Sequence, residues 1–226
     1  MTKRPIRAVA FDLDGTLYPN RRFYVRLVPF LLKHHRLLAA MGKARNWMRE
    51  EGHDSSFFEE QSRIMASILG RDPAQVHEET ETLIYRGWEP LFKGLKLFPH
   101  VRETLDAFLK AELPLGLLSD FPPETKLRYM ELDTFFKVVL GSEACGRLKP
   151  DPLPFNKLAA ALGVEPGEIL YVGNSISYDI KGAQGAGMQT ALVAGRFSRL
   201  SSPRIRRCGA DFIFSDYRQL KKFVVG

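Results

Sequence analysis

The chain has 226 residues, 45% hydrophobic and 26% charged, an ordinary globular balance that excludes a disordered chain or a fibrous repeat. A chain of this length buries about 70% of the surface its unfolded form exposes, so it needs neither a disulfide framework nor a structural metal to fold. Lysine plus arginine number 33 against 26 acidic residues, a net charge of +7 and a pI near 9.5 that suits an acidic substrate, nucleic acid or an anionic membrane without choosing among them.

Met1 to Ala10 runs directly into Phe11-Asp12-Leu13-Asp14 and lacks the long apolar stretch and small-residue cleavage site of a signal peptide. Ile6 to Leu13, β-branched and aromatic, reads as a buried strand that stops at the turn pair Asp14-Gly15. From Phe23 to about Trp88 the pattern is helical. Phe23, Leu27, Phe30, Leu31 and Leu38 form one apolar stripe; Phe57, Phe58, Ile64, Met65, Ile68 and Leu69 form another. Asp72-Pro73 marks a cap and first helical position. Phe23 to Met41 is the most apolar region, but Arg26, Lys33, His34, His35 and Arg36 exclude a ~20-residue membrane span.

After Phe98-Pro99 helices and strands alternate. Val101–Lys110, Thr125–Leu132, Pro154–Leu162 and Ile180–Gly187 read as helices. Pro114–Leu118, Phe136–Leu140, Ile169–Val172, Thr190–Val193 and Asp211–Phe214 read as strands. The economical architecture is an α/β core, a parallel sheet with helices on both faces, formed by residues 1–18 and 92–226. An all-helical insertion, residues 19–91, follows its first strand. Cys145 and Cys208 are too few and too far apart for a disulfide framework or a zinc knuckle and are expected as reduced thiols. Together these features predict a soluble cytoplasmic protein, monomer or homodimer, with no membrane partner.

Charge is segregated in the insertion. Arg21 to Arg49 holds eight basic residues and no acidic one, whereas Glu50 to Glu89 holds ten acidic residues and three arginines. Two solvated faces attracting each other across the bundle are the ordinary account; a basic wall facing an anionic substrate is the functional one. Arg196 to Arg207 adds five arginines without an acid, but no stacking platform or reader motif accompanies them, which argues against nucleic acid.

Four features stand at the ends of expected strands, where open α/β sheets place their ligands. In Asp12-Leu13-Asp14-Gly15-Thr16, two carboxylates at i and i+2 of an extended chain point the same way. One can attack phosphorus while the other handles the leaving-group proton; a strand ending in an Asp-Gly turn is the alternative. Leu117-Leu118-Ser119-Asp120 offers a hydroxyl and a free N–H to a phosphoryl oxygen, or merely turns the chain. Arg147-Leu148-Lys149-Pro150-Asp151-Pro152 presents Lys149 as a point charge before a helix. Tyr171-Val172-Gly173-Asn174-Ser175-Ile176-Ser177-Tyr178-Asp179 forms a plausible hard-cation site or a capped helix start.

In order and spacing these four features resemble the haloacid dehalogenase-like hydrolase superfamily over the whole chain. Gly182-Ala183-Gln184-Gly185-Ala186-Gly187-Met188 resembles the stretch after the fourth motif in its phosphoglycolate phosphatase-like branch, and the insertion resembles that branch's helical cap. The resemblance implies a magnesium-dependent phosphatase acting on a small phosphate ester. It implies Asp12 as nucleophile, forming an aspartyl-phosphate, and Asp14 as general acid and then base. Lys149, Ser119, Thr16 and Asp120 would bind the phosphate side, with Lys149 also neutralising Asp12. Mg2+ would sit on Asp12, the Asp14 carbonyl, Asn174 and Asp179. Asn174 stands where most members carry an acid, which implies a weaker or rearranged metal site. Asp14 separates a phosphatase from the dehalogenase branch, where no leaving oxygen needs a proton. A phosphomutase or phosphotransferase on sugar phosphates shares every core residue, and a binding protein with weakened catalysis is the further alternative.

Overall fold

The computed structural model describes residues 4–51, 56–195 and 202–226. Six parallel strands form one sheet: β1 (Ala8–Phe11), β2 (Leu115–Ser119), β3 (Val138–Gly141), β4 (Ile169–Gly173), β5 (Gln189–Val193) and β6 (Phe212–Phe214), in the order β3-β2-β1-β4-β5-β6. The alternation of β1 explains its place at the centre. Val9 and Phe11 face Leu105, Phe108 and Leu220, while Ala8 and Ala10 face Phe155, Leu158 and Leu162. Helices α5 (Val101–Lys110) and α10 (Tyr217–Val225) therefore cover one face, and α7 (Pro152–Leu162) with α8 (Lys181–Gly185) the other. The chain runs outward from β1 through β2 to β3, then returns to lay β4 against the opposite edge of β1. That reversal opens a crevice at the carboxyl ends of β1 and β4, the place where such sheets hold ligands.

Between β1 and β2 lie α1 (Arg21–Glu51), α2 (Phe57–Leu69), α3 (Pro73–Thr80), a π-helical turn at Glu81–Arg86 and α4 (Glu89–Phe92). This segment has a core of its own, with Leu37, Ala40, Met41 and Ala44 of α1 packed on Met65, Ala66, Val76 and Ile84. Asp72 caps α3, accepting from the amides of Ala74 and Gln75, with Pro73 at its first position. In the stripe on α1, Leu31 is 39% exposed. At 3.6 residues per turn it lies roughly 80° past Phe23 and falls off the buried face. Ile68 of α2 is likewise exposed. Helix α1 contains Pro29 and leaves helical geometry at His34 (φ −119°, ψ 27°). None of the described helices is long and apolar enough to cross a membrane.

Several boundaries differ from expectation. β1 ends at Phe11 rather than Leu13, which frees Asp12 and Asp14 from the strand. α6 (Glu124–Tyr129) stops short of Leu132, where the chain turns through Glu131 at positive φ (53°). Two helices went unanticipated, α9 (Pro203–Arg206) and α10; Asp216 caps the latter, and Leu220 and Tyr217 give it a buried face. Cys145 and Cys208 are free.

Candidate active site

The crevice at the switch point gathers the strand-end residues around one buried ammonium group. Lys149 Nζ donates to Asp12 Oδ1 at 2.8 Å and to Asp179 Oδ1 at 2.7 Å, with all three side chains buried. It also approaches the Tyr171 hydroxyl at 3.4 Å and the Leu118 carbonyl at 3.5 Å. Burial opposes charge on Lys149, but Asp12 and Asp179 outweigh it and hold the ammonium protonated well above its ordinary range. Burial, opposed by Lys149, pushes the Asp12 carboxyl up to about 7. Thr16 donates its hydroxyl to Asp12 Oδ2 at 2.7 Å, which fixes the rotation of that carboxylate.

Asp14 faces the other way, toward the helical segment. Lys126 of α6 donates to Asp14 Oδ2 at 2.6 Å, and the Tyr18 hydroxyl donates to Oδ1. Ser119 is buried, accepts from the Phe121 amide at 3.2 Å, and its hydroxyl stands 3.5 Å from Asp14 Oδ2. Burial followed by Asp14 drives the Tyr18 phenol far above its usual range, so it remains a donor. Neither Lys126 nor Tyr18 was expected in the site.

Two expected ligands are placed differently. Asp120 does not face the crevice: its carboxylate accepts from the Ser142 hydroxyl, from the Lys149 amide at 3.1 Å and from Arg49 Nη2 at 2.9 Å. It braces the Lys149 loop instead of offering a phosphate contact. Asp179, expected on the metal, has Oδ1 on Lys149 and Oδ2 on the amides of Asn174 (3.1 Å) and Ser175 (2.9 Å). These three bonds shape the loop after β4. Gly173 makes that loop possible, since a Cβ there would lie 2.3 Å from the Asp179 Cβ.

The chemistry of the remaining donors fits a magnesium ion. Among the described residues no three acidic, histidine or cysteine side chains cluster as a metal cage. Magnesium asks for less: one or two carboxylates and carbonyl oxygens, with water completing six ligands at about 2.1 Å. At right angles such ligands stand about 3 Å apart. The Asn174 side-chain nitrogen lies 3.2 Å from the Asp14 carbonyl oxygen, and turning the amide over exchanges it for an oxygen at that spacing. Gly15 (φ 86°) keeps the approach open, because a Cβ there would stand 2.1 Å from Asn174 Nδ2. Asp12, the Asp14 carbonyl and Asn174 are therefore the residues that suit the ion.

Among the described residues the basic run of α1 turns its arginines mainly to core loops rather than forming a wall toward the crevice. Arg45, buried, pairs with Glu143 and donates to the Asp120 carbonyl at 2.9 Å. Arg49 bonds Asp120 and the Lys149 carbonyl (3.0 Å), and Arg26 donates to the carbonyls of Leu91 and Lys93. The acids find local partners instead, as in Arg63–Glu60, Arg71–Glu79 and Arg86–Glu81. Arg45 was detectable in principle: it interrupts the apolar face of Met41, Ala44 and Met48. Of the second basic stretch, residues 196–201 lie outside the described residues.

The model of the haloacid dehalogenase-like hydrolases matches residues 6–187. The chain belongs to that family. It is 34% identical to the phosphoglycolate phosphatase of Photorhabdus laumondii, over 80% of this chain and 77% of the relative. It is 31% identical to that of Escherichia coli K12, over 80% and 79%. The crystal structure of a phosphatase of the same family from Thermococcus onnurineus superposes with a TM-score of 0.64 at 25% identity, covering 98% of this chain and 99% of that one. These relatives place the chain in the phosphoglycolate phosphatase-like branch, and it is a phosphoric monoester hydrolase of that type.

Proposed function

We propose that this hydrolase is a magnesium-dependent phosphatase acting on a small phosphorylated metabolite through an aspartyl-phosphate on Asp12. Residues 1–18 and 92–226 are its catalytic core, and residues 19–91 its cap. The observation that carries the reading is the division of labour between two carboxylates two residues apart. Asp12 is held in the charged crevice by Lys149 and Thr16, and Asp14 is held by Lys126 at a cavity that the cap also lines.

Asp12 Oδ attacks phosphorus; the P–O bond to the alcohol breaks as the P–O bond to Asp12 forms. Asp14 gives its proton to the departing oxygen, then takes one from the water that hydrolyses the aspartyl-phosphate and releases inorganic phosphate. Lys149 offsets the negative charge of Asp12 as the phosphate dianion approaches, and the Ser119 hydroxyl is placed to meet a phosphoryl oxygen. Held by Asp12, the Asp14 carbonyl and Asn174, Mg2+ would supply the remaining positive charge against that dianion. Arg45 and Arg49 fasten the cap to the core over the crevice, a closure that keeps bulk water from the reacting phosphorus.

Phosphate release from p-nitrophenyl phosphate at millimolar magnesium tests this directly. The wild-type protein turns the ester over, and Asp12→Asn, whose amide cannot attack phosphorus, loses at least about a thousandfold with an unchanged circular dichroism spectrum. Retained turnover in the variant sinks the assignment of Asp12.

A further inference from the structure

A cavity of 270 Å³ opens beside Asp14 between the cap and the core, and its walls are chiefly aromatic. Phe23 and Phe92 stack there with centroids 4.7 Å apart, and Trp88 meets Phe23 edge-on at 5.7 Å. Phe121 closes the core side, 6.1 Å from Trp88. Asp12, Lys149 and Asn174 do not line this space, whereas Asp14, the general acid of the phosphatase reading, does. For scale, a cavity of about 150 Å³ holds a benzene ring.

Two polar atoms in these walls lack partners. Trp88 Nε1, a donor, and Asn20 Oδ1, an acceptor, are both buried without a hydrogen bond, and both residues line the cavity. A buried polar group left unpaired costs about 1–3 kcal/mol, which a ligand bonding to it removes.

The charges of the lining disfavour an acidic alcohol. Its ionisable carboxylates and ammonium are Asp14, Glu89 and Lys126, and Lys126 is already bound to Asp14 at 2.6 Å. Glu89 accepts from the Thr125 hydroxyl at 3.0 Å beside the cavity. Arg26, Arg45 and Arg49 are not among the lining residues and are engaged elsewhere. A glycolate carboxylate placed here would meet aromatic faces and two acids, and the one lining cation, Lys126, is already shared with Asp14.

Building on the phosphatase reading, we infer that the substrate is a monoester whose alcohol carries a planar ring with at least one hydrogen-bond acceptor. The ring lies among Phe23, Trp88, Phe92 and Phe121; Trp88 Nε1 and Asn20 Oδ1 are closed off from the cavity in the free protein, so a small turn of both side chains on binding brings the indole N–H to the acceptor and Asn20 to a donor on the same group. The chain is thus specific for a ring-bearing phosphate and discriminates against phosphoglycolate.

The test compares benzyl phosphate with 2-phosphoglycolate, both primary alkyl esters, by kcat/KM and by quenching of tryptophan fluorescence on Asp12→Asn protein. Benzyl phosphate should be favoured at least about tenfold in both measurements, the worth of burying a ring. Equal or better use of phosphoglycolate overturns the inference while the phosphatase reading stands. Tighter binding of benzyl phosphate by a protein that hydrolyses no ester, p-nitrophenyl phosphate included, overturns the phosphatase reading and keeps the ring pocket. Absence of both binding and turnover overturns both. The acceptor is tested with 3-pyridylmethyl phosphate, which the wild-type protein should prefer to benzyl phosphate about fivefold, the worth of one hydrogen bond. Trp88→Phe should erase that ratio; a ratio that survives the substitution, or is absent from wild type, removes the Trp88 N–H from recognition.

Discussion

Around Lys149 two carboxylates meet one ammonium at 2.8 Å and 2.7 Å, whereas around Trp88, on the far side of Asp14, an indole N–H and an amide carbonyl are buried with nothing to bond. In the first region the charged groups are already bonded to one another. The second leaves two polar atoms unpaired. The difference follows from what each must recognise. A phosphoryl group is the same in every monoester, so its charges can be matched in advance by fixed groups on strand ends. The alcohol varies, and on the proposed reading its recognition falls to rings and scattered polar atoms contributed by both the insertion and the core.

The strongest way to break the charged region is Lys149→Met. It leaves Asp12 and Asp179 buried side by side without their shared counter-charge. Loss of one partner from a buried pair costs roughly 3–5 kcal/mol, so thermal or denaturant melting should show a large fall in stability. Phosphate release should fall at least about a thousandfold. A variant melting within about 1 kcal/mol of wild type would mean that the two carboxylates are relieved by something other than Lys149.

Lys126→Met acts at the boundary between the two regions. The substitution keeps a long apolar stem against Phe92 and Phe121 while deleting the ammonium that holds Asp14. If Lys126 positions Asp14 toward the departing oxygen, turnover of alkyl phosphates should fall about ten- to a hundredfold, within the range of general-acid contributions. p-Nitrophenyl phosphate, whose leaving group departs unprotonated, should lose much less. Equal losses on both kinds of ester would show that Lys126 acts on something other than proton delivery.

The same contrast explains what was legible in the sequence. Asp12, Asp14, Ser119 and Lys149 sit at the ends of strands or in the loop just before a helix, so short contiguous strings display them. The α/β order was equally readable, because buried parallel strands are continuous apolar runs and the helices between them carry their own periodicity. Lys126 and Trp88 gave no such signal. Lys126 is brought to Asp14 from 112 residues away and reads in isolation as a surface lysine on a helix. For Asp120 and Asp179 the local string shows only a carboxylate beside a motif, and the folded chain adds the amides and cations that bond to it. The arginines of α1 were visible as a charge run, but their partners, Glu143 and Asp120, lie on core loops no local pattern connects to them.

The smallest expected effect comes from Asn174→Asp, and it sharpens the comparison by adding charge where the charged region has an amide. Asn174 donates to the Asp14 carbonyl at 3.2 Å. An ionised aspartate cannot donate, and two acceptors at that spacing repel each other, so without metal the variant should lose about 1 kcal/mol or less. For a chain of this length that is a fall of about 2–4 °C in Tm at most. Magnesium reverses the sign. A carboxylate oxygen is a stronger ligand for a hard cation than an amide oxygen, so the ion binds the folded variant more tightly and stabilises it by linkage. Melting curves at increasing magnesium should therefore cross, with the variant below wild type in chelator and above it at millimolar ion. Half-maximal phosphatase activity should come at a severalfold lower magnesium concentration. Turnover at saturation need not rise, because the added charge also opposes the phosphate dianion approaching Asp12. Parallel melting curves that never cross would take Asn174 off the ion, leaving it as a spacer that props the Asp14 carbonyl.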